Sequence, residues 1–375
     1  MMKTKEEPIW VTEENNITFK DKKKGKIIFR DSIDHWENGF LRLLKISEKE
    51  AREFIENVEL KSLEKYRKHF YNLDNEAKLD SIKDGWNKLF NKNRKNNFYS
   101  KVALNEIGPC GHVGNFIVAD QIENDTGFAV VGCEQCNFAW LTNNSNFKKV
   151  KTGVVYEKEY FEGSRKDLGY GEYLNQKNWR IEKAFRLLKE TKPFLTSKKT
   201  NFLDIGSGYG FFRKVLADSG YKHQGTEVSK YAIEICEKEF GFKTFLGTLE
   251  DLQKKSNVRY NVATMWDVIE HAEKPVEILE TVHRILKKDG LVSIRTPNVN
   301  SIEKKVLGNN FYSFKREHFN YFSPKSVLLF LEKANFVPIY LKTSSHIFSG
   351  FFQQGLSPFE LMLKGSDILV IARKI

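Results

Sequence analysis

The chain has 375 residues, of which 40% are hydrophobic and 29% are charged, and its formal net charge is +12. This length and composition are those of a globular protein with two or three domains and a sizeable core. Because no apolar run approaches the roughly 20 residues that span a bilayer and the N-terminus carries no secretory pattern, we expect a cytoplasmic protein without a transmembrane segment. Basic and acidic residues alternate along most of the chain, so the charge does not favour nucleic acid as a partner.

Residues 1–100 are charged and rich in asparagine, and their pattern predicts a mainly helical region whose role the sequence does not indicate. The clearest helix signal is Ser47-Glu-Lys-Glu50, which has the form of a capping box and precedes apolar residues at roughly helical spacing. Residues 101–150 form a short second unit, and residues 151–375 form a third and larger one.

The second unit holds three of the four cysteines in the chain. Cys110-Gly-His112 and Cys133-Glu-Gln-Cys136 are two close pairs of metal-ligating residues on a short connecting segment, which is the layout of a zinc knuckle. We therefore predict a structural zinc ion bound by Cys110, His112, Cys133 and Cys136, since four protein ligands leave no open position for chemistry. The alternative is three buried free cysteines beside an unrelated histidine.

Strand-like and helical patterns alternate from residue 200 onward. Short apolar runs at 202–205, 223–228, 261–265 and 291–294 are separated by amphipathic stretches, and two further strand candidates close the chain. This alternation predicts an α/β fold with a parallel sheet and right-handed crossovers.

A glycine-rich loop follows the first of these strands, in Phe202-Leu-Asp-Ile-Gly-Ser-Gly-Tyr-Gly-Phe211. Gly206, Gly208 and Gly210 let the backbone turn tightly and approach a ligand, and the following helix presents free N–H groups to an anion such as a carboxylate. Asp204 stands where it can meet an ammonium group. A ligand with both charges on one carbon is an amino acid, and S-adenosylmethionine has such an end. The alternative is a glycine-rich turn that binds nothing.

The ends of the next strands carry further candidate residues. Glu227 ends the second strand, where a carboxylate can accept both hydroxyls of a ribose. Segment 247–251 lies between the strands at 223–228 and 261–265, and segment 266–275 follows the strand at 261–265; both are expected at the edge where an open α/β sheet binds its ligand.

With these motifs, the third unit resembles a class I S-adenosylmethionine-dependent methyltransferase, of the broad family that includes quinone O-methyltransferases and many sugar and surface-polysaccharide methyltransferases. The resemblance implies a seven-stranded Rossmann-like sheet with helices on both faces. It rests on motifs that occur in the family's order: Leu203-Asp-Ile-Gly-Ser-Gly-Tyr-Gly210 with Glu227, Asp267-Val-Ile-Glu-His271 with Pro275, Leu286-Lys-Lys-Asp-Gly-Leu291, Thr296-Pro-Asn298 and Glu317-His-Phe-Asn-Tyr-Phe-Ser323.

The same resemblance implies roles for individual residues. Asp204, the three glycines of the loop and Glu227 are expected to bind the cofactor. Asp251 is expected near its adenine, and Asp267 beside its methionine end.

An aromatic segment precedes the sheet and includes Tyr156-Glu-Lys-Glu-Tyr-Phe-Glu-Gly163 and Gly169-Tyr-Gly-Glu-Tyr173. It is similar to the lead-in of methyltransferases found with glycosylation enzymes, which implies that Tyr170 or Tyr173 helps to close the cofactor pocket. Ordinary helix packing is the alternative for these tyrosines. Some sugar methyltransferases also carry a zinc-binding unit before the catalytic domain, usually with two C-x-x-C pairs, whereas the first pair here is C-x-H.

Methyl transfer to a hydroxyl requires an aligned nucleophile and the removal of its proton. His271 follows the strand at 261–265, on the side where the methyl group should lie, and the resemblance places His318 and Tyr321 over the substrate pocket. We predict His271 or His318 as the base and Tyr321 as a further catalytic side chain, with structural hydrogen bonds as the alternative for each histidine. A divalent ion on Asp267, Glu270 and His271 is a second mechanism, as in quinone and small-RNA methyltransferases with an E-x-x-E-H motif.

Three classes of function stay open at this point. The first is an enzyme that methylates a sugar hydroxyl of a nucleotide sugar or glycan, and the positive charge favours a phosphate-bearing acceptor. The second is a methyltransferase that acts on another small hydroxylated metabolite or on RNA. The third is a non-catalytic scaffold protein that binds S-adenosylmethionine, and the intact cofactor motifs argue against it. Neither the acceptor nor the oligomeric state follows from the sequence.

Overall fold

The computed structural model of the chain describes residues 8–13, 16–21, 27–32, 106–122, 125, 127–142, 156, 158–162, 173–195, 197, 199–344 and 365–375. Its strands are β1 (Pro8–Glu13), β2 (Asn16–Asp21), β3 (Ile27–Ser32), β4 (Phe116–Ala119), β5 (Val130–Gly132), β6 (Ala139–Leu141), β7 (Asn201–Ile205), β8 (Lys222–Glu227), β9 (Phe245–Leu246), β10 (Tyr260–Trp266), β11 (Leu286–Pro297), β12 (Asn320–Tyr321), β13 (Phe336–Ser344) and β14 (Asp367–Lys374). Its helices are α1 (Lys158–Glu162), α2 (Lys177–Thr191), α3 (Phe211–Asp218), α4 (Lys230–Phe240), α5 (Leu249–Lys255), α6 (Pro275–Ile285), α7 (Ile302–Leu307) and α8 (Pro324–Lys333), with single 3-10 turns at Lys192–Phe194, Ile269–His271 and Gly308–Asn310. None of the helices described is long and apolar enough to cross a membrane.

Strands β1, β2 and β3 form a three-stranded antiparallel sheet within the first 100 residues. This sheet differs from the predicted mainly helical region. The local sequence gives the reason, because Pro8-Ile-Trp-Val-Thr-Glu13 and Asn16-Ile-Thr-Phe-Lys-Asp21 are rich in β-branched and aromatic residues, which favour extended backbone. The predicted helix after Ser47 lies outside the described residues.

Seven strands form the central sheet, in the order β13-β14-β11-β10-β7-β8-β9. Strands β7 to β11 are parallel, whereas β14 runs antiparallel to both of its neighbours. The predicted seven-stranded Rossmann-like sheet is therefore confirmed. From the central pair, β7 and β10, later strands are added outward in opposite directions, so the loops after β7 and β10 open a crevice at the carboxyl edge of the sheet.

Helices cover both faces of the sheet, and each face has its own apolar core. Leu188 of α2 packs in one core with Phe202 of β7, and Leu279 of α6 packs in the other with Leu203. Neighbouring residues of β7 serve different cores because alternate residues of a strand point to opposite faces. Each fully buried leucine or phenylalanine contributes about 1.5–3 kcal/mol to stability, so both faces hold the loops at the strand ends in place.

A four-stranded antiparallel sheet of order β12-β6-β5-β4 joins the cysteine unit to the larger unit. Three of its strands belong to the cysteine unit, whereas β12 lies between α7 and α8. Phe138 packs against Phe330 of α8 and against Phe322, with ring centroids 4.7 Å and 5.2 Å apart. The sheet and this core contain residues from both sides of position 150. The division into two domains at that position therefore stays a prediction.

Candidate active site

The loop after β7 forms a backbone cradle at the carboxyl edge of the sheet. Gly206, Gly208 and Gly210 have φ angles of 65°, 50° and 80°, a region that glycine adopts without strain. Space is also limited, because a Cβ on Gly206 would lie 2.7 Å from Val268 and one on Gly210 would lie 2.4 Å from Cys236. Gly210 is the N-cap of α3, so the helix presents its free N–H groups at this loop.

Glu227 ends β8, and its carboxylate accepts hydrogen bonds from the backbone of the loops after β7 and β8. Its Oε2 accepts a hydrogen bond from the N–H of Gly208 at 2.8 Å, and its Oε1 accepts from Val228 and Ser229 at 2.8 and 2.9 Å. Burial raises the pKa of this carboxyl, while the three backbone bonds act in the opposite direction. Since a carboxylate offers about four lone-pair sites, Oε2 retains capacity to accept a ligand hydroxyl.

Asp204 lies on β7, next to the start of the glycine loop, and is buried. Its Oδ1 accepts a hydrogen bond from Thr264 Oγ1 at 2.7 Å. Burial raises the pKa of Asp204 to about 7, and the bond from Thr264 and the charge of Arg213 oppose that change. Near neutral pH, the approach of a cation therefore suffices to ionise this carboxyl.

The loop after β9 borders Glu227. The N–H of Gly247 donates to the carbonyl of Glu227 at 2.9 Å, which places the following residues beside the end of β8. Asp251 accepts hydrogen bonds from the N–H and hydroxyl of Thr248 in a capping box at the start of α5. The capping box gives Asp251 a structural role at the start of α5. That Asp251 also lies near the adenine of the cofactor stays a prediction.

Two apolar side chains at the same edge were missed by the sequence reasoning. Val228 follows β8 with 48% of its surface exposed, and Leu246 ends β9 with 54% exposed. Exposed apolar side chains next to a buried carboxylate suit the flat face of a base. The signal for them in the sequence was their position at or directly after the end of a strand, but single valines and leucines are common at such positions.

Arg180 of α2 stacks on a tyrosine that borders the glycine loop, and it was also missed. Its guanidinium stacks on Tyr173, 3.5 Å from the ring centroid, and the Tyr173 hydroxyl lies 3.5 Å from the position that a Cβ on Gly208 would take. Burial raises the pKa of Tyr173. A planar guanidinium at this place suits a carboxylate. The structure thus brings Tyr173 to the loop, whereas Tyr170 lies outside the described residues.

Asp267 follows β10 in a left-handed conformation, with φ of 58°. Its carboxylate pairs with the buried Arg295, which also pairs with Asp367 at the start of β14. Lys183 of α2 lies 4.0 Å from the second carboxylate oxygen. Asp267 therefore links the rim of the crevice to a charge network across β10, β11 and β14, and its contact with the cofactor stays a prediction.

Two histidines and a glutamate converge on the other side of the crevice. Glu270 and His271 lie in the 3-10 turn after β10, and His318 lies shortly before β12. One ligand-type atom from each side chain lies within 4.8 Å of the others, and the two imidazole centroids are 4.7 Å apart. The structure therefore brings together the two histidines singled out from the sequence. Asp267 does not join them, because it pairs with Arg295.

Backbone carbonyls fix the orientation of both imidazoles. His271 Nδ1 lies 2.8 Å from the carbonyl oxygen of Glu317, and His318 Nδ1 lies 2.8 Å from that of Ser313. A carbonyl oxygen only accepts, so each Nδ1 carries a proton and each Nε2 presents a lone pair. Burial lowers the pKa of His271, and it lowers the pKa of His318 well below its ordinary value. Both rings are therefore neutral at pH 7.

Buried carboxylate oxygens complete this side of the crevice. Glu270 Oε2 accepts a hydrogen bond from Thr296 at 3.0 Å, whereas its Oε1 has no hydrogen-bond partner among the described residues. Neither oxygen of Glu317 accepts a hydrogen bond in that part of the chain, and Lys315 Nζ lies 3.9 Å away. Burial and the charge of Asp267 together raise the pKa of Glu270 to about 8. Such oxygens indicate a place for a proton, a ligand donor or a metal ion.

Two tyrosines frame the histidines. Tyr321 lies 6.3 Å from His318 between ring centroids, and its hydroxyl donates to the carbonyl of Lys315 at 3.1 Å. Tyr156 packs edge-on against His271 at 6.0 Å, and burial raises its pKa. The ring of Tyr321 thus lies near His318, and its hydroxyl is bonded to a backbone carbonyl. A catalytic role for Tyr321 stays a prediction.

The four predicted zinc ligands lie together in the cysteine unit, with one ligand atom of each within 4.8 Å of the others. A tetrahedral ion with Zn–S bonds of about 2.3 Å needs sulfurs roughly 3.8 Å apart, so this grouping fits zinc. His112 Nδ1 is buried and has no hydrogen-bond partner in the part of the chain described. Lys333 donates to the carbonyl of Cys110 at 2.7 Å, which brings positive charge beside the sulfurs.

The fold and the crevice fit a nucleotide-like ligand with an amino-acid end, and known proteins offer a comparison. Residues 177–341 match the family model described as a methyltransferase domain. The ubiquinone biosynthesis O-methyltransferase of Vibrio vulnificus (strain YJ016) is 26% identical over 136 residues, which are 32% of this chain and 58% of that protein. The protein of the same name from Leptothrix cholodnii is 23% identical over 214 residues, which are 52% of this chain and 79% of that one. Among solved structures, a SAM-dependent methyltransferase from Archaeoglobus fulgidus is 19% identical with a TM-score of 0.43, over 54% of this chain and 99% of that one.

Residues 177–341 are therefore assigned to the methyltransferase domain, as the resemblance to S-adenosylmethionine-dependent methyltransferases implied. The strand order of the central sheet and the glycine loop agree with that assignment. The chain spans 58% of the length of the first curated relative. The activity, acceptor and partners of the whole protein therefore belong to the proposed function.

Proposed function

We propose that this protein transfers the methyl group of S-adenosylmethionine to a hydroxyl oxygen of its acceptor. The observation that carries the proposal is the pair of neutral histidines, His271 and His318, which group with the buried side chain of Glu270 and carry their lone pairs on Nε2. A hydroxyl is a weak nucleophile until its proton is removed, and a neutral imidazole accepts that proton. The curated relatives are named as O-methyltransferases, which supports the same acceptor atom.

The cofactor supplies an electrophilic methyl group on a sulfonium sulfur. In this proposal, Glu227 accepts the ribose hydroxyls, Asp204 meets the ammonium and Arg180 meets the carboxylate. The loop glycines admit the amino-acid end to the backbone N–H groups, as the left-handed φ angles and the short Cβ distances support. Val228 and Leu246 flank the adenine, on the side where their apolar surfaces are exposed.

His271 or His318 accepts the proton of the acceptor hydroxyl at Nε2. The carbonyl of Glu317 then stabilises the charged His271 ring through the Nδ1–H bond, and the carbonyl of Ser313 does the same for His318. Tyr321 supports His318 from behind. Close packing around the two rings keeps water away from the proton acceptor.

A divalent metal ion bound by Glu270, His271 and His318 is the second candidate mechanism. The unpartnered, buried Oε1 of Glu270 favours it, as does the grouping of the three ligand atoms within 4.8 Å. The Nδ1–H bonds to backbone carbonyls are the usual way to orient ligating histidines. A bound ion would lower the pKa of a coordinated hydroxyl, and the Nε2 atoms would then be ligands and not bases.

A sugar hydroxyl of a nucleotide sugar or glycan is the acceptor that we propose. The likeness of residues 156–173 to glycosylation-linked methyltransferases supports it, as does the net charge of +12. Incubation with S-adenosylmethionine carrying a labelled methyl group and a panel of nucleotide sugars, glycans, small hydroxylated metabolites and RNA tests it. Label in an O-methyl sugar is the expected product. Label in RNA or another metabolite would replace the acceptor, and cofactor binding without any product would favour the scaffold alternative.

We also propose that the cysteine unit binds a structural zinc ion. Elemental analysis of the purified full chain should find about one zinc per chain. Cys133→Ser should lose the ion and lower the melting temperature, because three charged or polar ligands would remain buried without a partner. Glu134→Gln changes an exposed neighbour in the same loop and should keep the zinc. A fully folded wild-type chain that contains no metal would contradict the proposal.

Cofactor affinity should depend on pH through Asp204. Burial raises its pKa to about 7, so an ammonium group must bind the ionised form at the cost of a released proton. The affinity for S-adenosylhomocysteine should fall by up to about tenfold per pH unit below pH 7 and level off above it. Calorimetry between pH 5.5 and 8.5, as a rough working range, measures this. Asp204→Asn should flatten the profile, and the exposed Asp218→Asn should not.

A further inference from the structure

The cysteine unit contacts the segment that carries His318 through paired backbone. In the second sheet, β6 pairs with β12 in antiparallel register, with Trp140 opposite Asn320 and Ala139 opposite Tyr321. The N–H of Leu141 donates to the carbonyl of Phe319 at 3.0 Å and extends the pairing toward His318. The backbone next to this histidine is thus an edge of the cysteine unit's sheet.

The other edge of the same segment is bonded to the turn that carries Glu270 and His271. The N–H of Phe319 donates to the carbonyl of Glu270 at 2.9 Å. Asn320 is buried, and its side-chain amide donates to the carbonyl of Ala272. Phe319 therefore stands between Leu141 on one side and Glu270 on the other, and one short segment connects the cysteine unit to the histidines.

The predicted zinc ligands close the hairpin that supplies β6. Cys133 and Cys136 lie in the connection between β5 and β6, where the N–H of Cys133 donates to the carbonyl of Phe138 at 2.8 Å. Cys110 enters from outside the hairpin, and Lys333 of α8 holds its carbonyl at 2.7 Å. A metal ion shared by these residues would fix the hairpin against the segment after β12.

We propose that the cysteine unit is a positioning element for the acceptor side of the active site. With zinc bound, the β5–β6 hairpin fixes β12, and β12 fixes the backbone that carries Glu270, His271 and His318. The inference rests on the proposed function, because it assigns zinc to one group of residues and acceptor chemistry to the other. It goes beyond a stabilising role, since loss of zinc should alter the histidine side of the crevice and spare the glycine loop, which the unit's sheet does not pair with.

The test uses the full chain as zinc-loaded wild type, as chelated wild type and as Cys133→Ser. Manganese(II) serves as the probe of the histidine side, with its binding followed by electron paramagnetic resonance. Loss of zinc should weaken manganese binding by about tenfold or more, as loss of an outer-shell support commonly does. Hydrogen exchange of the Leu141 and Phe319 amides should become faster in the same samples. The affinity for S-adenosylhomocysteine should stay near its wild-type value.

Asn320→Ala tests the connection without touching a zinc ligand. It should keep the zinc, weaken manganese binding and leave S-adenosylhomocysteine affinity near wild type, because it removes the amide bonds to the carbonyls of Ala272 and Ile269. Glu134→Gln is the matched surface control and should resemble wild type in every measurement. If loss of zinc only made the whole chain less stable, manganese binding and S-adenosylhomocysteine binding would weaken together.

The outcomes separate the inference from the proposals beneath it. Equal manganese binding and equal amide exchange with and without zinc would overturn the positioning role and leave the methyltransferase proposal standing. If zinc-loaded wild type binds no manganese, the metal mechanism fails, and amide exchange at Leu141 and Phe319 alone decides the inference. A wild-type chain without zinc would end both the zinc proposal and the inference, while cofactor binding would remain to be judged by its own experiment.

Discussion

Replacing Glu227 with alanine should lower the affinity for S-adenosylhomocysteine by about 100-fold or more, which corresponds to about 2.7 kcal/mol of binding free energy. The carboxylate joins the loops after β7 and β8 by accepting from Gly208, Val228 and Ser229. The variant removes the acceptor of all three N–H groups together with the proposed ribose contact. A buried donor left without a partner costs about 1–3 kcal/mol, so the cradle itself should loosen. Titration calorimetry measures the change.

Glu234→Ala is the matched control for this variant. Glu234 is exposed on α4, so its loss changes the net charge equally and should leave the affinity unaltered. Melting temperatures without ligand separate a damaged site from a damaged fold. Glu227→Gln gives a second reading, because it keeps the side-chain shape while an amide N–H₂ replaces one acceptor oxygen. Wild-type affinity in both Glu227 variants would remove this residue from the cofactor site.

His318→Gln and Glu270→Gln should each reduce turnover with the true acceptor by about 100-fold or more while cofactor affinity is retained. Both side chains are buried at the acceptor side, and neither contacts the glycine loop through a hydrogen bond that the structure describes. Single-turnover measurement isolates the chemical step from product release. His283→Gln, at a half-buried position of α6 outside the cluster of Glu270, His271 and His318, is the control and should keep its turnover.

The pH and metal dependence of turnover distinguishes the two mechanisms. Burial lowers the pKa of both histidines, so the neutral form persists below pH 6.5 and turnover by a histidine base should decline only as pH falls through the lowered pKa. Chelation should leave that mechanism unaffected if zinc is retained in the cysteine unit. If chelation abolishes turnover and magnesium restores it, Glu270, His271 and His318 are metal ligands. Near-normal rates in both variants would show that positioning alone carries the reaction.

Much of the cofactor side could be predicted because its determinants are local in the chain. Three glycines within five residues favour a tight turn after β7, and the left-handed φ angles observed there are ones that glycine adopts without strain. Glu227 ends the next strand, and parallel strands bring their carboxyl ends to one edge. The two pairs of predicted zinc ligands, Cys110 with His112 and Cys133 with Cys136, are local in the same sense, since the partners of each pair are close in the chain. The structure brings the four side chains together, and their binding of zinc stays a prediction.

Several boundaries and side-chain states depended on distant partners. Leu286 follows directly on the amphipathic pattern of α6, but it begins β11 because it pairs with Tyr260 on the neighbouring strand. Asp267 was assigned to the cofactor or to a metal, and the structure pairs it with Arg295 from β11. Helical or strand-like local patterns do not contain this information, since the partners lie far along the chain.

The sequence by itself determined the α/β class, the cofactor loop and the identity of the candidate base residues, because periodicity and short motifs encode these within a few residues. Only the tertiary structure decided that His271 and His318 come together with Glu270, and that both rings are oriented by carbonyls on the separate segment 313–317. Only it decided that β12 pairs with β6 and so connects the cysteine unit to the acceptor side. Backbone pairing between distant segments is set by the packing of the whole core, and no local pattern in either strand specifies its partner.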